Sequence, residues 1–361
     1  MTYQTGSTPL PAANEMEALL GKTPDELQAA ATAAGLPRFV GKQIADWLYA
    51  KRVRSFEEMT NISLRGRETL AKMYVVGRHK PVAQAVSEDG TVKYLFEAGK
   101  GQYVEAVYLP EDERATACVS TQAGCKMGCR FCMTGTLGFH AQLTAAEILN
   151  QIFELNALHG GTLTNVVYMG EGEPMDNIDE VLKSLQVMTA DWGCAWSPKR
   201  LTVSTVGFIP GMRRFLEESD CHLAISLHNP FHEERQEIMP AEKAYPIADV
   251  LELVRQHDFS RQRRVSFEYI CFGGLNDTQR HARETVRILS GIQCRVNLIR
   301  YHASPEADKK KFPPSDERQM VWLRDYLTAH GITATIRRSR GEDILAACGM
   351  LVNALQKESG K

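Results

Sequence analysis

Ala115-Thr-Ala-Cys118-Val-Ser120-Thr-Gln-Ala-Gly124-Cys125-Lys-Met-Gly128-Cys129-Arg-Phe131-Cys132 runs from a short apolar stretch straight into a loop carrying three thiols. The three thiols fall within eight residues, spaced x3 and then x2. That is tight enough to serve one inorganic centre. A structural zinc takes four ligands, and an ordinary iron–sulfur cluster takes four cysteines. Here the local set stops at three, and an open coordination position marks chemistry rather than structure. A zinc reading needs a second CxxC-like pair, yet Cys194, Cys221, Cys271 and Cys294 stand alone. Three thiolates with one open iron match a [4Fe–4S] cluster better.

Outward from this loop one pattern repeats. Short β-branched or apolar runs occur at Ala115–Ser120, Asn165–Met169, Leu201–Ser204, Leu223–Leu227, Val265–Cys271, Val296–Tyr301 and Ala334–Arg337. Helical periodicity lies between them, near 143–158, 177–190, 245–257, 278–290 and 316–330. Strands alternating with helices predict an α/β fold with a parallel sheet, here a partial (β/α)6-type barrel. The working residues of such a fold sit at the C-terminal ends of its strands.

The chain before the repeat reads differently. Glu15–Leu20, Thr23–Ala34 and Gly41–Lys51 carry apolar residues at helical spacing. Thr91–Phe96 and Gln102–Leu109 alternate in period two around Ala98-Gly-Lys-Gly101, which predicts a small β-hairpin or meander. The expected organisation is a helical accessory domain over 1–80, a small β extension over 81–114 and the barrel over 115–361.

Composition excludes some classes. With 43% apolar and 24% charged residues and a net charge of −2, the chain is ordinary globular material. Met1–Asn14 lacks the apolar core of a signal peptide, and no apolar run reaches membrane-spanning length, so no membrane partner is expected. Nine cysteines, three of them clustered, suit reduced thiols with metal or catalytic roles in the cytoplasm. Charge is uneven: Pro37–Lys80 holds ten Lys/Arg against four Asp/Glu. That asymmetry fits either a nucleic-acid-facing surface or a solvated helical face.

The cysteine loop after a first barrel strand resembles the radical S-adenosylmethionine (SAM) superfamily. There the open iron chelates SAM, and the reduced cluster splits it to a 5′-deoxyadenosyl radical. Further strand ends support the likeness. Gly172-Glu173-Pro174 is similar to the superfamily's motif for the SAM amino group, and Ser204 to a SAM-binding serine. Ser226-Leu227-His228 closes the next strand.

The resemblance narrows with Cys118-Val-Ser-Thr-Gln-Ala-Gly-Cys125, Gly138-Phe139, Met169-Gly-Glu-Gly-Glu-Pro174, Ser226-Leu-His228 and Arg340-Gly-Glu-Asp-Ile-Leu-Ala-Ala-Cys348-Gly. Together they resemble the RlmN/Cfr family of RNA methyltransferases, the RlmN branch more than the C8-methylating Cfr branch. The likeness implies methylation of adenosine C2 in 23S rRNA, with tRNA as a second substrate. C2 is electron-poor and does not attack SAM as a nucleophile, so a carbon radical must add to it. The family's route implies Cys348 as methyl carrier, Cys118 as the thiol that resolves the adduct through a transient disulfide, and Glu105 as proton acceptor. Period two sets Glu105 beside Tyr103, Val107 and Leu109, where an apolar setting would raise its pKa. His302 stands where the family often has a SAM-binding asparagine. A flavodoxin-type reductant is expected to feed the cluster. Phosphate contacts call for Lys/Arg, with candidates in 38–80, Arg261–Arg264 and Lys309-Lys-Lys311. Two rivals remain at this point: a radical SAM enzyme acting on something other than RNA, and an RNA-binding module with structural zinc.

Overall fold

The structure is a computed structural model that describes residues 4–5, 16–262, 264–302 and 312–346. Arg263, Lys309–Lys311 and Cys348 lie outside the described residues. The N-terminal unit holds α1 (Pro24–Ala33), α2 (Val40–Ala45) and α3 (Leu64–Met73). Thr23 and Glu26 form a capping box at the start of α1, with Pro24 in its first turn. Leu27, Ile44, Leu48 and Leu70 are fully enclosed between these helices, each worth about 1.5–3 kcal/mol against exposure. The stretch expected as a helix at Glu15–Leu20 is extended where described. Glu17–Ala18 pairs with Tyr74–Val75, and the Leu19 and Leu20 amides donate to the Val75 and Val76 carbonyls. Its apolar pair is buried by bridging to a strand, and a segment this short has no nucleated helix to compete.

Ten strands continue the chain: β1 (Ala83–Val86), β2 (Val92–Ala98), β3 (Gln102–Pro110), β4 (Ala115–Cys118), β5 (Asn165–Tyr168), β6 (Leu201–Thr205), β7 (His222–Ser226), β8 (Val265–Cys271), β9 (Cys294–Arg300) and β10 (Thr333–Ile336). With the Gln4–Thr5 bridge they form one eleven-stranded sheet in sequence order. From β1 to β4 the pairing is antiparallel, and from β4 to β10 it is parallel. All seven strands expected from the repeat are present, joined by six helical crossovers. The helices are α4 (Ala145–Leu158), α5 (Ile178–Thr189), α6 (Ile209–Glu218), α7 (His232–Ile238), α8 (Ile247–Gln256), α9 (Gln279–Leu289) and α10 (Glu317–Ala329). The barrel is partial: β4 gives its second edge to β3, and β10 pairs with β9 alone among the described residues.

Helix α6 went unread in the sequence because Ile209-Pro-Gly211 looks like a breaker. Pro210 occupies the first turn, where its missing N–H is harmless. Gly211 is required by packing, since a Cβ there would lie 2.0 Å from the Met175 carbonyl oxygen. The helical unit docks on the barrel through charge. Glu154 of α4, fully enclosed, receives Arg54 at 2.7 Å and Arg78 at 2.5 Å. Arg78 of the 38–80 cluster is therefore internal, while Arg54 is engaged by Glu154 from the exposed side. No helix among the described residues is long and apolar enough to cross a membrane.

Candidate active site

The strand ends open into one cavity of about 290 Å3. Cys118 enters it from β4, Ser204 from β6, Ser226 and His228 from the end of β7, and His302 from just beyond β9. Cys125, Cys129 and Cys132 line the same space.

Local geometry builds the thiol loop. Gln122–Gly124 pairs antiparallel with Phe139–Gln142, and the Cys125 amide donates to the Gly138 carbonyl at 2.8 Å, pinching the loop shut. Gly124 has φ 72°, and a Cβ there would meet that carbonyl oxygen at 2.0 Å. Gln151 of α4 clamps Ser120 at both amide and carbonyl, 2.8 and 3.0 Å, and so fixes the strand end between Cys118 and the loop. Around the thiols a second apolar cluster gathers Met239, Ile270, Phe272, Tyr301 and Phe312, apart from the main core. Phe131 joins it, edge-on to His228 with ring centres 5.0 Å apart.

Burial pushes the Cys125 thiol up to about 12 and raises Cys129 and Cys132 as well. Thiols ligate only as thiolates, so ligation here releases protons against that burial. Among the described residues no three His, Cys, Asp or Glu side chains gather tightly enough for a single ion. A cubane puts its ligands on separate irons and sets them further apart than a mononuclear site does. Three thiols on one water-poor wall, beside an open cavity, fit a [4Fe–4S] cluster.

The expected SAM residues divide in role. Gly172 has φ 99°, and a Cβ there would stand 2.6 Å from the Gln122 Cβ; the glycine lets two loops meet, where ligand approach was the expected reason. Both Glu173 carboxylate oxygens are engaged by backbone, Oε1 by the Met175 amide at 3.1 Å and Oε2 by the Val206 amide at 2.9 Å. Burial raises its pKa to about 7. Glu173 thus shapes the loop, and its backbone is what remains to face a ligand. Leu227 is fully enclosed in the core, away from the cavity. His228 accepts the Ile270 amide at Nδ1, 3.0 Å, in left-handed backbone of φ 52°. Burial, aided by Arg235, brings its pKa to about 3, so the ring stays neutral. His302 pairs Nε2 with the Ser339 hydroxyl at 2.7 Å and lies 3.3 Å from Glu342 through Nδ1, engaging the C-terminal segment.

Glu105 departs from expectation. It is fully enclosed and does not line the cavity among the described residues. Its surroundings are charged, not apolar: Lys93 Nζ lies 3.0 Å from its Oε1. The segment leading to Cys348 lines the cavity through Ser339, Arg340 and Ala346. Sequence reading also missed a basic rim. Arg337 and Arg338 are exposed at the cavity mouth, directly after β10. The signal was Arg337-Arg-Ser-Arg340 at a strand's C-terminal end.

A strand-end cavity carrying three loop thiols defines a radical SAM enzyme, and residues 119–286 match the radical SAM superfamily. Residues 18–76 match the ribosomal RNA large subunit methyltransferase N-terminal domain. The chain is 56% identical to a probable dual-specificity RNA methyltransferase RlmN of Bacteroides thetaiotaomicron, covering 95% of this chain and 98% of that one. It is 40% identical to the dual-specificity RNA methyltransferase RlmN of Halorhodospira halophila, covering 94% of each. The crystal structure of a radical SAM methyltransferase from Sphaerobacter thermophilus superposes with a TM-score of 0.87 at 36% identity, covering 93% of this chain and 99% of that one. The chain belongs to the RlmN family. Its cofactors are a [4Fe–4S] cluster and S-adenosylmethionine.

Proposed function

We propose that this chain methylates C2 of adenosine in 23S rRNA and in tRNA. One observation carries the reading: Cys118 lines the same cavity as the three loop thiols, and the segment running into Cys348 lines it too. A radical SAM enzyme acting on another substrate class has no evident use for Cys118 in that cavity and a further cysteine two residues beyond Ala346 in the chain.

Cys125, Cys129 and Cys132 would hold the cluster, which with SAM supplies a carbon-centred radical. The Gly172–Glu173 loop, Ser204, Ser226, the Leu227 backbone, His228 and His302 would bind and orient SAM at the strand ends. Cys348 takes a methyl on its thiolate and presents it to the base. Cys118, fixed at the end of β4, would attack the Cys348 sulfur as a thiolate; the sulfur–carbon bond breaks, the released carbon takes up a proton to become the methyl, and a disulfide is left. Glu105 accepts the C2 proton. Arg337 and Arg338 would receive phosphate at the cavity mouth, and exposed Arg38, Lys42, Arg65 and Lys72 extend the basic surface of the N-terminal helices. The target base must leave its stack to enter. A flavodoxin-type donor would reduce the cluster, and the cytoplasm is where both RNAs lie.

Nucleoside mass spectrometry of rRNA and tRNA from a deletion strain tests this. Loss of 2-methyladenosine from both is expected. Loss of 8-methyladenosine instead would assign the chain to C8 chemistry, and no lost methyladenosine would reject RNA methylation.

A further inference from the structure

Lys93 stands mid-strand in Val92-Lys-Tyr-Leu-Phe96 and is fully enclosed. Lysine is almost never buried unless paired. Its ammonium joins two separate parts of the molecule. Nζ lies 3.0 Å from Glu105 Oε1 on β3 and donates to the Leu345 carbonyl at 3.3 Å. Leu345 precedes Cys348 by three residues. It sits at φ 52°, a backbone conformation that a leucine keeps only where its surroundings fix it.

Behind Glu105 stands Glu171, from the glycine-rich loop after β5. Its Oε1 accepts the Glu105 amide at 2.9 Å, and its Oε2 accepts the Gly124 amide at 3.3 Å, next to the thiol loop. Among the described residues, the charged groups facing Lys93 include Glu105 and Glu171, and those facing Glu171 include Glu105 and Lys93. One cation therefore meets two enclosed carboxylates. Burial, reinforced by Glu105, raises Glu171 to about 8, which favours its protonated form at neutral pH. Glu105 lies directly against the ammonium, an arrangement that favours the carboxylate form.

We propose that Lys93 is a positioning residue for methyl transfer: it keeps Glu105 in the carboxylate form a base requires, and ties it to the segment that bears Cys348. This rests on the reading of Glu105 as proton acceptor and Cys348 as carrier.

Holoenzyme carrying Lys93→Met, Lys93→Gln or Lys93→Arg is assayed on a transcribed 23S rRNA fragment across the pH range, and Cys348 methylation is read separately by intact mass. Cys348 methylation persists in all three. Lys93→Met lowers RNA methylation on the order of tenfold or more. It also moves the acid limb of the profile to higher pH, because removing a cation raises the pKa of the neighbouring carboxylate. Lys93→Gln keeps a donor for Leu345 but shows the same displaced limb, and Lys93→Arg restores it. Where Lys93→Met does not fold, the other two variants carry the comparison. An acid limb that stays put in Lys93→Gln overturns the proposal, as does an equal loss of rate in the Gln and Arg variants with no displacement. Full RNA methylation by Glu105→Gln would instead overturn the reading of Glu105 as base.

Discussion

Ser87 donates its hydroxyl to the Asp343 carboxylate at 2.6 Å, joining the hairpin turn before β2 to the chain that leads into Cys348. Three more bonds hold the same junction: the Glu88 amide to Asp343 at 3.3 Å, the Gly341 amide to Asp89 at 3.1 Å, and an Arg340 guanidinium nitrogen to the Asp89 carbonyl at 3.0 Å. The Cys348 segment is thus seated by the β extension and not by the barrel alone.

Acid should release that seat. Burial opposes ionisation of Asp89, but hydrogen bonds from Thr91, Gly341 and Ser87 outweigh it and bring the carboxyl to about 2. A depressed carboxylate stabilises the fold above its unfolded value and loses that contribution as pH falls through the folded one. Protection of the 341–346 amides, taken relative to intrinsic exchange at each pH, should therefore fall in cluster-free protein as pH drops from about 4 toward 2. Asp89→Ala should show the lowered protection already at neutral pH. Unchanged exchange in that variant would mean that the junction is not what seats the segment.

Removing one loop thiol should abolish the metal centre and spare the fold. Cys129→Ala is expected to bring iron from about four per chain to near zero, with the brown colour lost. The thiol shell is a separate apolar cluster from the main core, so far-ultraviolet circular dichroism should be preserved. Iron content and dichroism on the same preparation check both parts.

His228 should give the fold a pH slope in a different window. Its pKa is depressed from the usual value near 6.5 to about 3, so the neutral ring favours the native state. Stability is full above about 6.5 and declines as pH falls from there toward 3. His228→Asn should flatten the slope of melting temperature against pH. It should also weaken SAM binding, because the ring edge that lines the cavity is lost while the asparagine oxygen still accepts the Ile270 amide. Native SAM affinity should not titrate with His228 between about pH 5 and 8.

The basic rim should show itself through salt. Replacing Arg337 and Arg338 by alanine should weaken binding to the rRNA fragment and reduce the slope of log affinity against log salt by about one per residue. Filter binding at several salt concentrations measures both. An unchanged slope would move the phosphate contacts to the N-terminal helices.

Much of this was legible in the sequence because it is periodic or tightly spaced. The seven runs became seven strands, and the x3, x2 thiols became one wall of the cavity. What escaped depended on distance in the chain. Gly172 read only as a ligand contact, because glycine reports only that something is close; it lines the cavity and also lets Gln122 approach. Helix α6 was hidden by a proline that its first turn tolerates and a glycine that its packing requires. Lys93 carried a signal, a cation inside an apolar strand with an acid on the next strand, but a lone lysine in a hairpin reads as solvated edge. Arg78 stood among the candidate nucleic-acid contacts, but Glu154, on a helix distant in the chain, holds it inside the molecule.

The continuity of the sheet has a consequence for how the molecule can be divided. Strand β3 completes β4, the first barrel strand, by direct backbone pairing at Val107–Cys118 through Pro110–Ala115. A protein cut just before Ala115 would uncover the hydrogen-bonding edge of β4, and an unprotected edge recruits other chains. The barrel is therefore not a detachable engine with a substrate adaptor bolted on. The strand that carries Glu105 is also the strand that covers the hydrogen-bonding edge of the first barrel strand, so exchanging the extension means rebuilding that margin of the fold.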